Sequence, residues 1–292
     1  MRELTLKACA KLNLTLDILR KRPDGYHDLA MVMQSVSLAD EVTLTLTDTA
    51  AIRCESNVEG LPTDERNLAV RAALRFFQET GLPIAGLRIR LVKRIPSCAG
   101  MAGGSSDAAA VLRGLRALLL PSLPMEELLR IGALIGSDVP YCICGTTALA
   151  EGRGERLTTL SPMPTCWFVI CKPDFPISTP ELFGLVRADA IANRPDTAGM
   201  IAALERGELA AVAARLHNVF EAVLPEKYGE VFTIKRRLLA LGALNAAMSG
   251  SGPTVYGIFA DRSAAEAAQM ALAREWGQCW LAQPVRSAED AV

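Results

Sequence analysis

Residues 96–107 form the glycine-rich stretch Pro96-Ser97-Cys98-Ala99-Gly100-Met101-Ala102-Gly103-Gly104-Ser105-Ser106-Asp107, which lies between a predicted strand, Leu87–Val92, and a predicted apolar helix, Ala108–Leu120. Glycines let a backbone turn tightly and approach a ligand closely. The free N–H groups at a helix start suit phosphate oxygens, and the hydroxyls of Ser105 and Ser106 add donors or a contact to magnesium. The pattern predicts a phosphate-binding loop; the alternative is a glycine turn with a serine cap.

Composition limits the classes of function that the chain can have. Its 292 residues are half apolar and carry a formal net charge of -1. This length predicts two domains of ordinary size or one large domain. For two domains, the prolines near residues 160–164 place the boundary between 1–160 and 161–292. Without a basic excess, nucleic acid is not an expected partner, so any anionic ligand must be held by local groups.

The cysteines and the apolar segments argue against a secreted or membrane protein. None of the eight cysteines forms a C-x-x-C pair, and with two histidines the usual zinc spacings are missing. We expect buried, reduced thiols and a cytoplasmic location. The N-terminus lacks the apolar region of a secretory signal. The uncharged run Leu238–Ala260 contains glycines and a proline, which favours a loop and a strand over a membrane span.

Periodicity predicts an α+β fold, with strands clustered early and helices inserted later. Apolar residues alternate from Leu6 to Ile18, which predicts a half-buried strand with Lys11 and Asn13 on the face opposite the core. We expect helices over Asn67–Thr80 and around Met200–Leu216. Residues 139–150 are apolar and strand-like in part.

Two charged residues lie in settings that suit chemistry. Taken alone, Asp138 in Gly136-Ser137-Asp138-Val139-Pro140 is typical of a turn or capping aspartate. Lys11 has small or apolar neighbours, so it is either a solvated strand lysine or an ammonium in a sheltered groove.

Residues 96–109 resemble the ATP-phosphate loop of the GHMP kinases, a family of small-molecule kinases. Residues 8–14, 136–140 and 248–254 are similar to three further segments of that family. The resemblance implies a two-domain fold, with an N-terminal domain like domain 2 of ribosomal protein S5 and a ferredoxin-like C-terminal domain. It also implies ATP and Mg²⁺ as cofactors, with Asp138 as the catalytic base beside Lys11. The implied ATP contacts are Pro96, Ser97, Cys98, Ala99, Gly100, Met101, Ala102, Gly103, Gly104, Ser105, Ser106 and Asn67.

The segment Arg22-Pro23-Asp24-Gly25-Tyr26-His27 is a turn by composition, with a plain hairpin loop as the alternative. It resembles the segment that distinguishes the family members acting on a cytidine diphosphate derivative. This implies that Tyr26 stacks on cytosine, His27 hydrogen-bonds its polar edge and Asn13 contacts the methylerythritol end. The implied reaction is phosphorylation of the 2-hydroxyl of 4-diphosphocytidyl-2-C-methyl-D-erythritol in isoprenoid biosynthesis.

Two alternatives remain. The first is another GHMP kinase acting on homoserine, mevalonate or a sugar, which Tyr26 and His27 disfavour. The second is a non-catalytic nucleotide sensor of the same fold, which Lys11 and Asp138 disfavour. The sequence leaves open whether the protein is a monomer or a homodimer.

Overall fold

The computed structural model describes residues 2–84 and 86–286. Its strands are β1 (Glu3–Lys21), β2 (His27–Thr47), β3 (Ile52–Ser56), β4 (Gly86–Val92), β5 (Thr147–Gly152), β6 (Arg156–Thr159), β7 (Trp167–Cys171), β8 (His217–Asn218), β9 (Asn245–Met248), β10 (Val255–Phe259) and β11 (Cys279–Ala282). Its α-helices are α1 (Leu68–Thr80), α2 (Gly103–Leu119), α3 (Met125–Ala133), α4 (Val139–Cys144), α5 (Thr179–Leu185), α6 (Thr197–Glu205), α7 (Leu209–Ala214), α8 (Glu230–Ala240) and α9 (Arg262–Trp276).

The larger sheet is built on the long antiparallel hairpin of β1 and β2. Its strand order is β3-β4-β2-β1-β8, and β5 pairs with the first half of β2 and with β6. Helices α1 and α2 pack on this sheet and enclose an apolar core that includes Leu44, Phe76 and Leu112. At Gly114 the helix α2 comes so close to the sheet that an added Cβ would lie 2.5 Å from the Leu44 side chain. This contact positions the N-terminus of α2, where the glycine-rich stretch ends.

The smaller sheet has the order β11-β7-β10-β9, and α8 and α9 cover one of its faces. Its other apolar side chains, including Phe168 and Tyr256, pack in one cluster with Leu12 and Leu14 of β1. The hydroxyl of Tyr256 donates to the carbonyl of Asn13 at 2.7 Å. Strand β1 is therefore enclosed by α2 on one part of its length and by the second sheet on another.

The prediction of a half-buried β1 is wrong for its middle part. Every residue from Ala10 to Ile18 is buried, and Lys11 and Asn13 are 4% and 0% exposed. Register shifts between Cys9 and Lys11 and between Asn13 and Thr15 interrupt the alternation of the two faces. The face that was expected to meet solvent is covered by the second sheet and its loops, and a pattern within one strand does not report such a cover.

Other segments were predicted with mixed success. The helix over 67–80 and the strand over 87–92 are confirmed as α1 and β4, and Asn67 is the N-cap of α1. Residues 139–144 form the helix α4, so the strand-like part of 139–150 begins only at Thr147. The helix expected around 200–216 is divided into α6 and α7, with Gly207 at φ +66° between them. Within the described ranges, no helix is both long and apolar enough to cross a bilayer.

The predicted domain boundary at 160/161 separates most strands of the two sheets. Two short segments of the second half nevertheless join the first sheet. Strand β8 pairs in parallel with Thr15 and Leu16, and Pro284 forms a bridge with Val36.

The burial of α8 against the second sheet gives a test of the fold. Leu238 is 0% exposed and its neighbour Leu239 is 42% exposed. Removing buried methyl groups leaves a cavity, so Leu238→Ala should lower the free energy of unfolding by about 2–5 kcal/mol. The matched change Leu239→Ala should alter it by about 0.5 kcal/mol or less. Urea unfolding followed by circular dichroism measures both, and equal effects would contradict this packing.

Candidate active site

The glycine-rich stretch crosses the middle of β1 and turns into α2. The backbone N–H of Lys11 donates to the carbonyl of Met101 at 3.1 Å. Helix α2 begins at Gly103, five residues before the predicted start, and its N-cap residue, Ala102, supplies no side-chain cap. The first N–H groups of α2 therefore lack the side-chain acceptor that commonly satisfies a helix start, which leaves them suited to an anion.

The two serines of the stretch have different surroundings. The buried hydroxyl of Ser106 donates to the carbonyl of Cys9 at 2.7 Å, which joins α2 to β1. Ser105 lines the open cleft beside Gly103 and Gly104. Of the two hydroxyls, that of Ser105 is the one presented to a ligand.

Lys11 and Asp138 lie together, although they are 127 positions apart in the chain. The ammonium of Lys11 is 4.0 Å from Oδ2 of Asp138 and donates to Oδ1 of Asn13 at 2.7 Å. Asp138 stands at the N-cap position of α4, but its side chain accepts no capping hydrogen bond. Of the two interpretations of Asp138, the structure thus disfavours a capping role and leaves its carboxylate facing the ammonium.

The loop between β9 and β10 packs against the glycine-rich stretch. The hydroxyl of Ser249 donates to the carbonyl of Gly100 at 2.9 Å, and the N–H of Gly250 donates to Oδ1 of Asn13 at 3.0 Å. Gly100 has φ +69°, and a Cβ added there would lie 2.2 Å from the carbonyl oxygen of Ser249. The close approach of the two backbones therefore requires glycine at position 100.

A second buried cation lies on the other side of the stretch. The ammonium of Lys93 donates to carboxylate oxygens of Asp40 and Asp107. Although burial opposes the charge of this ammonium, Asp107 and Asp40 hold the pKa of Lys93 above its usual value. Burial raises the pKa of Asp107 to about 7, against the effect of Lys93. The second carboxylate oxygen of Asp107, Oδ1, is buried without a hydrogen-bond partner, and the residue lines the cleft.

Tyr26 and His27 form the far end of the cleft. Tyr26 is 52% exposed, and the guanidinium carbon of Arg153 lies 3.9 Å from the centre of its ring. The ring of His27 stacks on Phe183 with 5.0 Å between the ring centres. Partial burial, with Lys21 nearby, lowers the pKa of His27 and so favours a neutral imidazole, which offers one donor and one acceptor.

One cleft of about 1160 Å³ brings most of the predicted residues together. It is lined by Lys11, Tyr26, His27, Asn67, Asp138 and all of residues 96–105. The amide of Asn67 is used locally, because Oδ1 accepts from the N–H of Ala69 and Nδ2 donates to the carbonyl of Pro62. Asn13 and Ser106 do not line the cleft. Asn13 accepts a hydrogen bond from the cleft residue Lys11, and Ser106 donates to the carbonyl of Cys9.

The geometry of a helix start, an ammonium and a carboxylate at one cleft agrees with the family models that match the chain. The model of the GHMP kinases N terminal domain matches residues 67–146, and that of the GHMP kinases C terminal matches residues 200–278. The chain belongs to the GHMP kinase family. Its fold is therefore the two-domain GHMP kinase fold, with helices and strands in both halves.

Named relatives narrow the comparison within the family. A 4-diphosphocytidyl-2-C-methyl-D-erythritol kinase of Lachnoclostridium phytofermentans is 44% identical over 91% of this chain and 91% of its own length. One from Geobacter metallireducens is 44% identical over 98% of this chain and 99% of its own. A crystal structure of 4-(cytidine 5'-diphospho)-2C-methyl-D-erythritol kinase superposes with a TM-score of 0.82 at 33% identity, covering 96% of this chain and 99% of that one.

More distant members share the fold alone. A homoserine kinase from Cytophaga hutchinsonii superposes with a TM-score of 0.74 at 18% identity, covering 98% of this chain and 96% of that chain. A mevalonate kinase from L. major superposes with a TM-score of 0.72 at 15% identity, covering 97% of this chain and 96% of that chain.

Sequence reasoning did not find several residues that line or support the cleft. No local motif signals the positions of Lys93, Asp40 and Phe183, which lie in separate parts of the chain. Arg153 lies in Glu151-Gly152-Arg153-Gly154-Glu155, whose glycines predict only a turn. The pairing of β5 with β2 is what brings this turn to the cleft.

The contact between the two loops predicts an asymmetry between two glycines. Gly100→Ala should lower the free energy of unfolding by about 2 kcal/mol or more, because a positive φ strains alanine by roughly 1–2 kcal/mol and its Cβ would meet the Ser249 carbonyl. At Gly104 a Cβ would meet only the Leu68 side chain at 3.5 Å, so Gly104→Ala should be neutral or stabilising. Thermal unfolding of both variants measures this difference. Equal melting temperatures would contradict the interlocked loops.

Proposed function

We propose that the protein transfers the γ-phosphate of ATP to the 2-hydroxyl of 4-diphosphocytidyl-2-C-methyl-D-erythritol, a step of isoprenoid biosynthesis by the methylerythritol phosphate pathway. The observation that carries the proposal is the approach of Lys11 to Asp138, at 4.0 Å, in the same cleft as the uncapped start of α2. Relatives 44% identical over most of the chain carry the name of this kinase.

The start of α2 supplies the groups for the phosphates of ATP. Its uncapped N–H groups and the positive end of its dipole favour anionic oxygens, and Gly103 and Gly104 lack side chains that would stand in the way. The remaining residues proposed for ATP are those of 96–105, with Asn67 at the side of the cleft where the base would lie.

The residues present suit a magnesium ion, which prefers oxygen ligands. Oδ1 of Asp107 is a buried oxygen without a hydrogen-bond partner, and the hydroxyl of Ser105 faces the cleft. We propose these two oxygens as the protein groups that hold the ion together with ATP. Magnesium bound there supplies charge neutralisation on the transferring phosphate.

Asp138 is the proposed general base. Its carboxylate is partly exposed, with 32% of the side chain accessible, so a substrate hydroxyl can reach it. Lys11 is held by Asn13 on one side and faces Asp138 on the other. In the transition state, the ammonium stabilises the negative charge that develops on the transferred group.

Tyr26 and His27 are the proposed contacts for the cytosine. An exposed tyrosine ring offers a stacking surface, and a neutral histidine offers a donor and an acceptor to the polar edge of the base. Asn13 is fully buried and its oxygen is used by Lys11 and Gly250. We therefore propose that Asn13 acts on the acceptor end of the substrate through Lys11.

The proposed domains, 1–160 and 161–292, both contribute to the cleft. The first supplies Lys11, residues 96–105, Asp107 and Asp138, and the second supplies Phe183 and the loop at 250–252. A substrate that lies between them would touch both halves.

A panel of acceptors tests the function. With ATP and magnesium, release of ADP is measured with the diphosphocytidyl substrate, mevalonate, homoserine and galactose. We expect turnover with the first alone. Turnover with another acceptor instead would show that the proposed substrate is wrong. Tight ATP binding without any turnover would favour the alternative of a non-catalytic nucleotide sensor.

The role of Asp138 predicts a specific kinetic defect. Asp138→Asn keeps the size of the side chain but removes the base, so kcat should fall by about 10²–10⁴-fold. The dissociation constant for ATP should change little, because the phosphates are held by α2. Turnover kinetics and calorimetric ATP binding measure the two quantities. An unchanged kcat would remove Asp138 from the proposed role.

A further inference from the structure

The guanidinium of Arg153 lies in the cleft, and it forms no salt bridge with a carboxylate of residues 2–84 or 86–286. Its carbon is 3.9 Å from the centre of the Tyr26 ring. The Nε of Arg153 is buried and donates to no acceptor among the described residues. The neighbouring carboxylate of Glu155 accepts from the backbone N–H of Arg153. Asp24 is affected by the charge of Arg153, but it is bonded to Arg22.

The hairpin of β5 and β6 places Arg153 between the two ends of the cleft. Gly152 pairs with Leu29 of β2, which brings the following residue beside Tyr26. On the other side of the same turn, a Cβ added at Gly154 would lie 3.6 Å from the carbonyl oxygen of Ser137, the residue before Asp138. The turn thus spans from the proposed cytosine site to the proposed catalytic carboxylate.

The other cations of the cleft are mostly neutralised by the protein itself. Lys11 faces Asp138, Lys93 lies between two carboxylates, and Arg66 is paired with Asp64. Among the described cleft-lining residues, only Arg153 and the exposed Lys21 have no salt bridge to an acidic side chain. Near neutral pH, these two side chains are the charge available for an anionic group of a ligand at this end of the cleft.

We propose that Arg153 is a specificity-determining residue that binds the diphosphate of the cytidine substrate, an inference that rests on the proposed function. In that substrate the diphosphate joins the cytidine to the sugar alcohol. With the base at Tyr26 and the reacting hydroxyl at Asp138, the diphosphate must cross the turn that carries Arg153.

The chemistry of arginine fits this position better than that of lysine. A guanidinium is planar and weakly hydrated, so it can lie against an aromatic ring and direct its N–H groups to phosphate oxygens at the same time. No acceptor among the described residues engages the Nε of Arg153, so the protein does not hold the guanidinium through a hydrogen bond of that atom. The stacking on Tyr26 also fixes the ring against which the cytosine would lie.

The test compares two competitive inhibitors, cytidine and cytidine diphosphate, on the wild-type enzyme and on Arg153→Gln. Charge-assisted hydrogen bonds are strong, so the inhibition constant of cytidine diphosphate should rise by about 10- to 100-fold in the variant. That of cytidine should rise by about 5-fold or less, because only the cation–π contact with Tyr26 is lost. The KM of the cytidine substrate should rise, and kcat and the KM of ATP should be unchanged.

Two further variants define the control. Arg156→Gln makes the same change on an exposed residue of the same hairpin that does not line the cleft, and it should alter neither inhibition constant. Arg153→Lys keeps the charge but loses the planar fork, so it should restore part of the affinity for cytidine diphosphate. Melting temperatures of all variants should agree with the wild type.

The outcomes separate this inference from the proposed function. Equal loss of cytidine and cytidine diphosphate in Arg153→Gln would mean that Arg153 only positions Tyr26 and would overturn the inference, as would no change in either constant. In both cases the wild type would still phosphorylate the cytidine substrate. A wild-type protein that neither turns over this substrate nor binds cytidine diphosphate in calorimetry would overturn the proposed function itself.

Discussion

The side-chain oxygen of Asn13 accepts two hydrogen bonds on which the geometry of the cleft depends. One comes from the ammonium of Lys11 and the other from the backbone N–H of Gly250. The first holds Lys11 facing Asp138, and the second joins β1 to the loop between β9 and β10 of the second sheet. Because Asn13 is fully buried, removal of its amide would leave both donors unsatisfied. One buried side chain thus contributes both to the position of the ammonium and to the junction of the two sheets.

Two backbones in contact complete this junction. The carbonyl of Gly100 accepts from Ser249, and a Cβ at Gly100 would overlap the Ser249 carbonyl. The glycine-rich stretch is therefore shaped by the opposite domain as well as by its own sequence. At the C-terminal end of the stretch, the carboxylate of Asp107 accepts a hydrogen bond from the ammonium of Lys93. Asp40, the other partner of Lys93, also accepts from the backbone N–H groups of Arg94 and Ile95. The start of α2 is held in this way from both sides before any nucleotide binds.

The cations of the cleft differ in whether they have a carboxylate partner. At the reacting end and beside α2, each lysine has a carboxylate partner, which lowers the cost of burying it. Arg153, on the turn between Tyr26 and Ser137, and the exposed Lys21 have no salt bridge to an acidic side chain among the described cleft residues. A cleft with an unpaired cation between its two ends suits a substrate whose diphosphate lies between a nucleobase and the reacting hydroxyl.

The sequence by itself determined the local features. The glycine-rich stretch, the turn at 22–27 and the helix over 67–80 follow from short-range backbone and side-chain preferences. The roles of Lys11 and Asp138 were implied by the family resemblance. Only the tertiary structure decided that Lys11 and Asn13 are buried, that residues 139–144 form a helix, and that Lys93 and Arg153 reach the cleft. The physical reason is that burial and charge pairing come from elements far apart in the chain. The second sheet that covers β1 leaves no trace in the alternation of β1 itself.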